Sequence, residues 1–335
     1  MHKCLQAACP FRVDWPDEQI QLHLQVPCPE LARIHRALVR RDNITLWVDE
    51  QAVAAWRNKA MLGRRGRPRI YTDTAIECAL IVRAVFHLSL RAAQRFVESA
   101  FRLMGVELPV PDYTTVSRRQ ARLDVVRDLA AIPTARHVII DTTGLKVFGA
   151  DGWNVRKHGM GRGRRRMWRK LHLGVDETSK EIVALDLTTS GAHDSPHLPA
   201  LLDQVNGEVA QVSGDRGYDS GTCYQAILAR EAVPTIPPRR NAKLSRAKDP
   251  PPFWAERDAV LRRIRDEGRY VWRTSGGATR QSLAENAVSR FKALFGVKLA
   301  SGKFENQQVE ALVKSQVINR TVSLGLPVSE RVPAT

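Results

Sequence analysis

The apolar positions of the chain change their period part-way along it. From Ile34 to Trp56 they recur at helical spacing around Leu46, Trp47 and Val48, and the run breaks at the basic stretch Gly63 to Arg69. From Thr72 to Phe86, the residues Ala75, Ile76, Ala79, Leu80 and Ala84 fall on one side of a helix, whose start Thr72 or Asp73 can cap. A second helix is predicted from Leu90 to Met104. After Gly105 and the Pro109 to Pro111 break, Asp112-Tyr113-Thr114-Thr115 opens a third, which then exposes Arg118 and Arg119. Hydroxyls and arginines at a helix start suit phosphate and base-edge contacts, so this segment resembles a helix-turn-helix reader, and a small helical bundle with a solvated cationic face is the alternative.

Near residue 137 the pattern shortens to buried β runs. Strands are predicted at Val138 to Val147, Trp168 to Val175, Ile182 to Thr188, Val209 to Ser213 and Val233 to Ile236, with helices at Pro196 to Val205 and Thr222 to Glu231. Three strands joined by short turns, followed by strand–helix alternation, is the chain order of an α/β RNase H-like core. The polar, basic, Pro-containing stretch 239–278 reads as an insertion. Helices from Leu283 to Phe295, closed by Gly296, and from Asn306 to Val322 complete the pattern.

Composition narrows the partners. The 335 residues are 43% hydrophobic, enough for two or three domains with cores of their own. Lys and Arg number 52 against 35 Asp and Glu, a formal charge of +17, and long-range attraction draws such a chain to polyanions. Double-stranded DNA is the first partner to test, and a merely solvated basic surface is the alternative. No secretory signal is visible, and the apolar stretch from Ala75 to Leu90 is interrupted by Glu77, Arg83 and His87, too short for a bilayer. Five scattered cysteines fit reduced thiols. A cytoplasmic, nucleoid-associated protein without a membrane role is expected.

The chemistry centres on acids. Asp141 follows the apolar run Val138-Ile139-Ile140, and an unpaired carboxylate there costs several kcal/mol unless a cation or donor network meets it. Asp215 repeats the arrangement after Val212-Ser213-Gly214. Acids at strand ends project into the crevice where ligands bind. Glu285 lies on an amphipathic helix with Lys292 two turns above it. Ser282 to Glu285 also matches a capping box, in which the glutamate only satisfies a backbone donor. Asp176, Asp186 and Asp194 are rival ligands, Asp194 being more simply a helix-start acid. His158, His172 and His193 read as structural, and Trp168 as a core residue.

The runs Ile140-Asp-Thr-Thr-Gly-Leu-Lys-Val147, Trp168-Arg-Lys-Leu-His172, Ser213-Gly-Asp-Arg-Gly-Tyr-Asp219 and Ser282-Leu-Ala-Glu-Asn-Ala-Val-Ser-Arg-Phe-Lys292 resemble those of bacterial insertion-sequence DDE transposases, nearest the insertion sequence five family. The likeness extends from Leu38 to Pro327. It implies a mixed five-stranded RNase H-like catalytic domain at 131–325 with the 239–278 insertion. It also implies a helical DNA-binding region at 31–130 with a basic linker 63–69 and a helix-turn-helix-like part at 72–127. Residues 1–30 read as a flexible arm and 326–335 as a tail.

By the same resemblance Asp141, Asp215 and Glu285 correspond to the catalytic, metal-binding triad. Oxygen-only ligands suit Mg²⁺ or Mn²⁺, two ions in all. The wider group carries Tyr seven before, Arg four before and Lys seven after the glutamate. Here Ala278 and Gln281 stand at the first two places, Lys292 is kept, and Arg280 is one residue off. Lys292 and Arg280, with Arg162, Arg164, Arg165, Arg166, Arg169 and Lys170, are expected to line the DNA path. Arg65 and Arg67 of the AT-hook-like Arg65-Gly66-Arg67-Pro68 are expected in a minor groove, and Arg118 and Arg119 on the repeat. The implied partners are terminal inverted repeats, target DNA and further copies of the chain. A DNA-binding regulator with a decayed core and a structure-specific nuclease are the other readings.

Overall fold

In the computed structural model, the described residues are 53–58, 70–125, 134–147, 168–246, 249–275 and 280–323, with Leu129 and Gly325. The arm, the 63–69 linker with Arg65 and Arg67, His158, Arg162 to Arg166, Ala278 and the tail lie outside them. Apart from Gly325, the described residues belong to one compact unit, 46–323.

The three helices form where their caps predict. Helix α1 spans Asp73–Val85, with the Thr72 hydroxyl accepting from Ala75 N. Helix α2 spans Leu90–Leu103 behind Ser89, and α3 spans Tyr113–Gln120 behind Asp112, whose carboxylate accepts from Thr114 N. The long loop between α2 and α3 is held down. Trp56 Nε1 donates to Pro109 O at 2.8 Å and Tyr71 Oη to Val110 O at 3.0 Å.

The sheet comprises β1 (Arg136–Val147), β2 (Trp168–Asp176), β3 (Ile182–Thr189), β4 (Val209–Ser213) and β5 (Val233–Thr235) in the order β3-β2-β1-β4-β5. β2 pairs antiparallel with both β1 and β3, whereas β4 runs parallel to β1 and β5 parallel to β4. This is the mixed RNase H-like sheet that the pattern predicts. Between β3 and β4 a 3₁₀ turn, Ser195–His197, leads into the short α4 (Leu198–Leu202), and α5 (Gly221–Leu228) joins β4 to β5. Val138, Ile140 and Val212 of the sheet pack with Leu198, Leu201, Tyr224 and Ile227 of these helices in one buried cluster.

The stretch 239–278 is more ordered than its polarity suggests. It contains α6 (Pro252–Glu267) and α7 (Arg269–Ser275). Their burial is tertiary. Arg257 donates to both oxygens of buried Asp219, and a Cβ on Gly221 would meet Phe253 at 3.0 Å, so α6 seats on the start of α5.

Helix α8 (Gln281–Phe295) leads to a short β6 (Lys298–Leu299) absent from the sequence expectation, and α9 (Phe304–Ser323) follows. β6 pairs parallel to the far end of β1, at Lys146 and Val147. α9 is a shared spine, because its Val309 and Val313 are buried with Ile76, Leu80 and Val116 of the helical segment, while Asn319 bonds both backbone groups of Ile182 in β3. Within it Glu310 and Lys314 form an ion pair at 2.7 Å, the side chains only 7% and 6% exposed.

Candidate active site

Asp141 lies in the middle of β1 and not at a strand end, which corrects the sequence expectation. The strand beside it stops short of it. The last β1–β4 pair is Ile139 with Ser213, and the β1–β6 pairs begin only at Lys146. Between them, one edge of β1 has no strand partner among the described residues. Asp141 is two residues beyond Ile139, and Asp215 is two beyond Ser213 with its backbone still extended, so the parallel register directs the two acids along neighbouring tracks, whose spacing within a sheet is about 5 Å. Thr142 N donates to Asp141 Oδ1, and Gly217 N to Asp215 Oδ1, each at 2.8 Å.

Glu285 arrives from α8. That helix begins at Gln281, so Ser282 is already inside its first turn, and among the described residues no side chain caps its start. The capping-box alternative therefore fails, and the glutamate is exposed on a helix whose Ala284, Ala287 and Phe291 are buried. Lys292 is half-buried on the same helix.

Electrostatics join the three acids. Burial pushes the Asp141 carboxyl above its ordinary range, and the charges of Asp215, Glu285 and Asp194 push it further, against the Thr142 amide that favours the anion. Asp194 contributes to that field from beside His172, whose Nδ1 is 4.0 Å from its carboxylate. It stands at the start of the 3₁₀ turn but makes no side-chain cap there, and Lys170 Nζ holds it at 3.0 Å while also donating to Ala192 O. A Cβ on Gly217 would lie 2.9 Å from Asp215 Oδ1 and 3.5 Å from Asp194 Oδ2, so a side chain there would crowd both carboxylates. Along the sequence Asp194 reads as a rival ligand or, more simply, a helix-start acid, and the absence of a cap removes the second of these.

The other rivals are spent elsewhere. Asp176 is buried, pairs with Arg136 at 3.2 Å and accepts from Thr178 N and Ser179 N, while Asp186 pairs with His197 at 2.9 Å. On the face of β1 opposite Asp141, Thr142 bonds Tyr218 Oη at 2.8 Å and His172 Nδ1 at 3.1 Å. His172 also bonds Thr188 Oγ1 at 2.9 Å and stacks on His197. Burial, then the neighbouring His197, push its pKa down to about 4, so it is a neutral structural imidazole. Trp168 is half-buried against Gly144, where a Cβ would meet its ring at 3.1 Å.

Two family models match this chain. A model described as a transposase DDE domain matches residues 132–318, over half of the chain, and covers all three acids; a second with the same description matches residues 39–150. The chain belongs to the transposase DDE-domain family. An uncharacterized protein of Aquifex aeolicus (strain VF5) is 24% identical over 225 residues, 62% of this chain and 67% of the relative. Among solved structures, a piggyBac transposase synaptic complex with hairpin DNA is similar at 12% identity and a TM-score of 0.36, covering 85% of this chain and 74% of that one. A simian T-cell lymphotropic virus intasome in complex with PP2A regulatory subunit B56 gamma follows at 13% identity and a TM-score of 0.24, covering 77% and 75%.

Family membership makes the chain a transposase, an enzyme that cleaves DNA and transfers strands with divalent metal. The donor set fits that requirement. It is all carboxylate oxygen, the choice of a hard cation, and its mutual repulsion is what such a cation reverses. Among the described residues no three potential ligands are drawn together tightly enough to hold one ion as they stand.

The basic residues of the transposase divide by what they touch. Arg169 donates to Gln307 Oε1 at 2.9 Å and lies over the Phe304 ring, and Lys170 is tied to Asp194. Arg280 pairs with Glu177 at 2.8 Å, although its side chain is 58% exposed. Arg119 is turned inward onto Asp73 and the Tyr71 carbonyl, whereas Arg118 is exposed. Gln281, at a place where the resemblance has arginine, donates from Nε2 to Ile140 O at 3.0 Å. No helix among the described residues is long and apolar enough to cross a membrane.

Proposed function

We propose that this transposase binds the terminal inverted repeats of its own insertion sequence, hydrolyses phosphodiester bonds at the ends, and joins the freed 3′-hydroxyls to target DNA. Asp141, Asp215 and Glu285 are the residues that would together hold two divalent ions, with Asp141 as the central ligand. The observation that supports this reading is the half-buried Asp141, beside the gap that β4 and β6 leave along β1, with its carboxyl raised by burial and by the fields of Asp215 and Glu285. Two Mg²⁺ or Mn²⁺ ions bound there supply activation of water and of the 3′-hydroxyl, and stabilise the leaving 3′-oxygen.

The chain's own groups prepare that site. The Thr142 amide orients Asp141, and the Gly217 amide orients Asp215. The formal charge of +17 draws DNA in, and Arg118 at the exposed end of α3 reads or clamps the repeat. Lys292, one helix turn pair beyond Glu285, meets the backbone beside the cut, with Arg280, Arg169, Lys170 and the 162–166 arginines along the DNA path. Joining two ends requires a homodimer or higher oligomer on DNA in the bacterial cytoplasm.

The deciding experiment compares the parent with Asp141→Ala on DNA carrying the element's ends. Repeat binding persists and Mg²⁺-dependent cleavage is lost; cleavage retained by the variant overturns the assignment. Parent protein that binds but never nicks is a regulator, and one that nicks but never joins a pre-cut end is a nuclease.

A further inference from the structure

We infer that Gln281 is a positioning residue that sets Glu285 against Asp141, an inference that rests on the metal-site reading above. Its side-chain amide crosses from α8 to β1, donating to Ile140 O at 3.0 Å, and Ile140 is the residue immediately before Asp141. Gln281 and Glu285 are four residues apart in one helix, so they share a face. One hydrogen bond therefore links the strand that carries one acid to the helix that carries the other.

The contact occurs where β1 has no strand beside it. Ile140 is one residue past the last pair with β4, and β6 does not begin until Lys146. Ile140 is fully buried, and a buried carbonyl without a donor is costly. Gln281 supplies the donor that a longer β4 would have supplied. The apolar contacts of Ala284, Ala287 and Phe291 hold α8 to the protein without specifying its position along its axis to a fraction of an ångström. A directional bond at the start of the helix does so, and metal geometry depends on such fractions. The glutamine is also neutral. It adds no positive charge beside Asp141, so positioning is achieved here without opposing a cation.

Two variants test this, with Mn²⁺ binding by the full chain followed by paramagnetic resonance and Mn²⁺-dependent nicking of supercoiled plasmid as the second readout. Gln281→Met keeps the length and removes the donor. It is expected to weaken Mn²⁺ binding and lower the saturating nicking rate, each by about fivefold, the value of one ordinary hydrogen bond. Gln281→Arg keeps a donor and is expected to nick at saturating Mn²⁺ within about twofold of the parent. Parent-like binding and nicking by folded Gln281→Met overturns the inference. If that variant does not fold, Gln281→Ala takes its place, and parent-like Mn²⁺ binding and nicking by it overturns the inference. Asp141→Ala run beside them separates the two readings: Mn²⁺ bound as tightly by it as by the parent removes the metal site itself, whereas its loss together with parent-like Gln281→Met removes only the role of Gln281.

Discussion

Asp141→Asn is the substitution whose effect the structure specifies most closely. The amide keeps the oxygen that accepts from Thr142 N and removes the negative charge. In the metal-free protein that charge is unfavourable, because burial and the fields of Asp215, Glu285 and Asp194 hold the carboxyl above its ordinary pKa. Unit charges about 5 Å apart interact by about 1–3 kcal/mol for effective dielectrics between ~80 and ~20. Asp215 and Glu285 are exposed, which favours the lower end, about 1 kcal/mol, with the relief of desolvation added. Asp141→Asn should therefore raise the melting temperature in EDTA at neutral pH by a few degrees, at about 2–4 °C per kcal/mol. The pH dependence has a definite sign. A folded-state carboxyl pKa above the unfolded one means that the native state binds the extra proton, so this contribution lowers stability as pH rises through the raised pKa. The parent gains stability on acidification from neutrality towards the ordinary carboxylate range, and the variant lacks that part of the gain. Saturating Mn²⁺ inverts the ranking. A ligand at a hundred times its Kd stabilises the parent by about 2.7 kcal/mol, and the variant has lost its central ligand. Differential scanning calorimetry in EDTA and in Mn²⁺ measures both. A variant no more stable than the parent in EDTA, with an equal gain from Mn²⁺, refutes the reasoning.

Two further perturbations test the scaffold and the DNA-binding face. Lys314→Met strands the buried Glu310 carboxylate, which the Lys314 ammonium helps hold below its ordinary pKa despite burial, and should cost about 3–5 kcal/mol in urea denaturation. A loss under about 1 kcal/mol would show that Ala300 N and Ser301 N suffice for Glu310. Arg118→Ala should weaken repeat binding and reduce the salt slope of log K by about 1 without moving the melting temperature, read by fluorescence anisotropy across salt concentrations. An unchanged slope would place α3 away from the phosphates.

Much of this architecture is local and so was legible along the chain. Thr72, Ser89 and Asp112 cap the helices they precede, because a side-chain oxygen three or fewer residues from a free amide needs no distant partner. The β runs of Val138 to Val147 and Ile182 to Thr188 declare themselves because strands covered on both faces must be apolar. Asp141 and Asp215 stand out for the same reason, as charges where apolar residues are required. The helices within 239–278 did not, since Arg257 and Phe253 find their burial against Asp219 and Gly221, residues 38 and 32 positions earlier. Nor did the gap in the edge of β1, which exists only because β4 ends early and β6 begins late. Gln281 depends on it in turn, as a tie to Ile140, and the Lys170–Asp194 bond likewise joins separate elements; both contacts exist only once the sheet has formed. Residue type and period declare which groups carry charge and which segments are buried; the distance between two charges belongs to the packed fold, because only packing brings remote segments within the few ångströms over which such forces act.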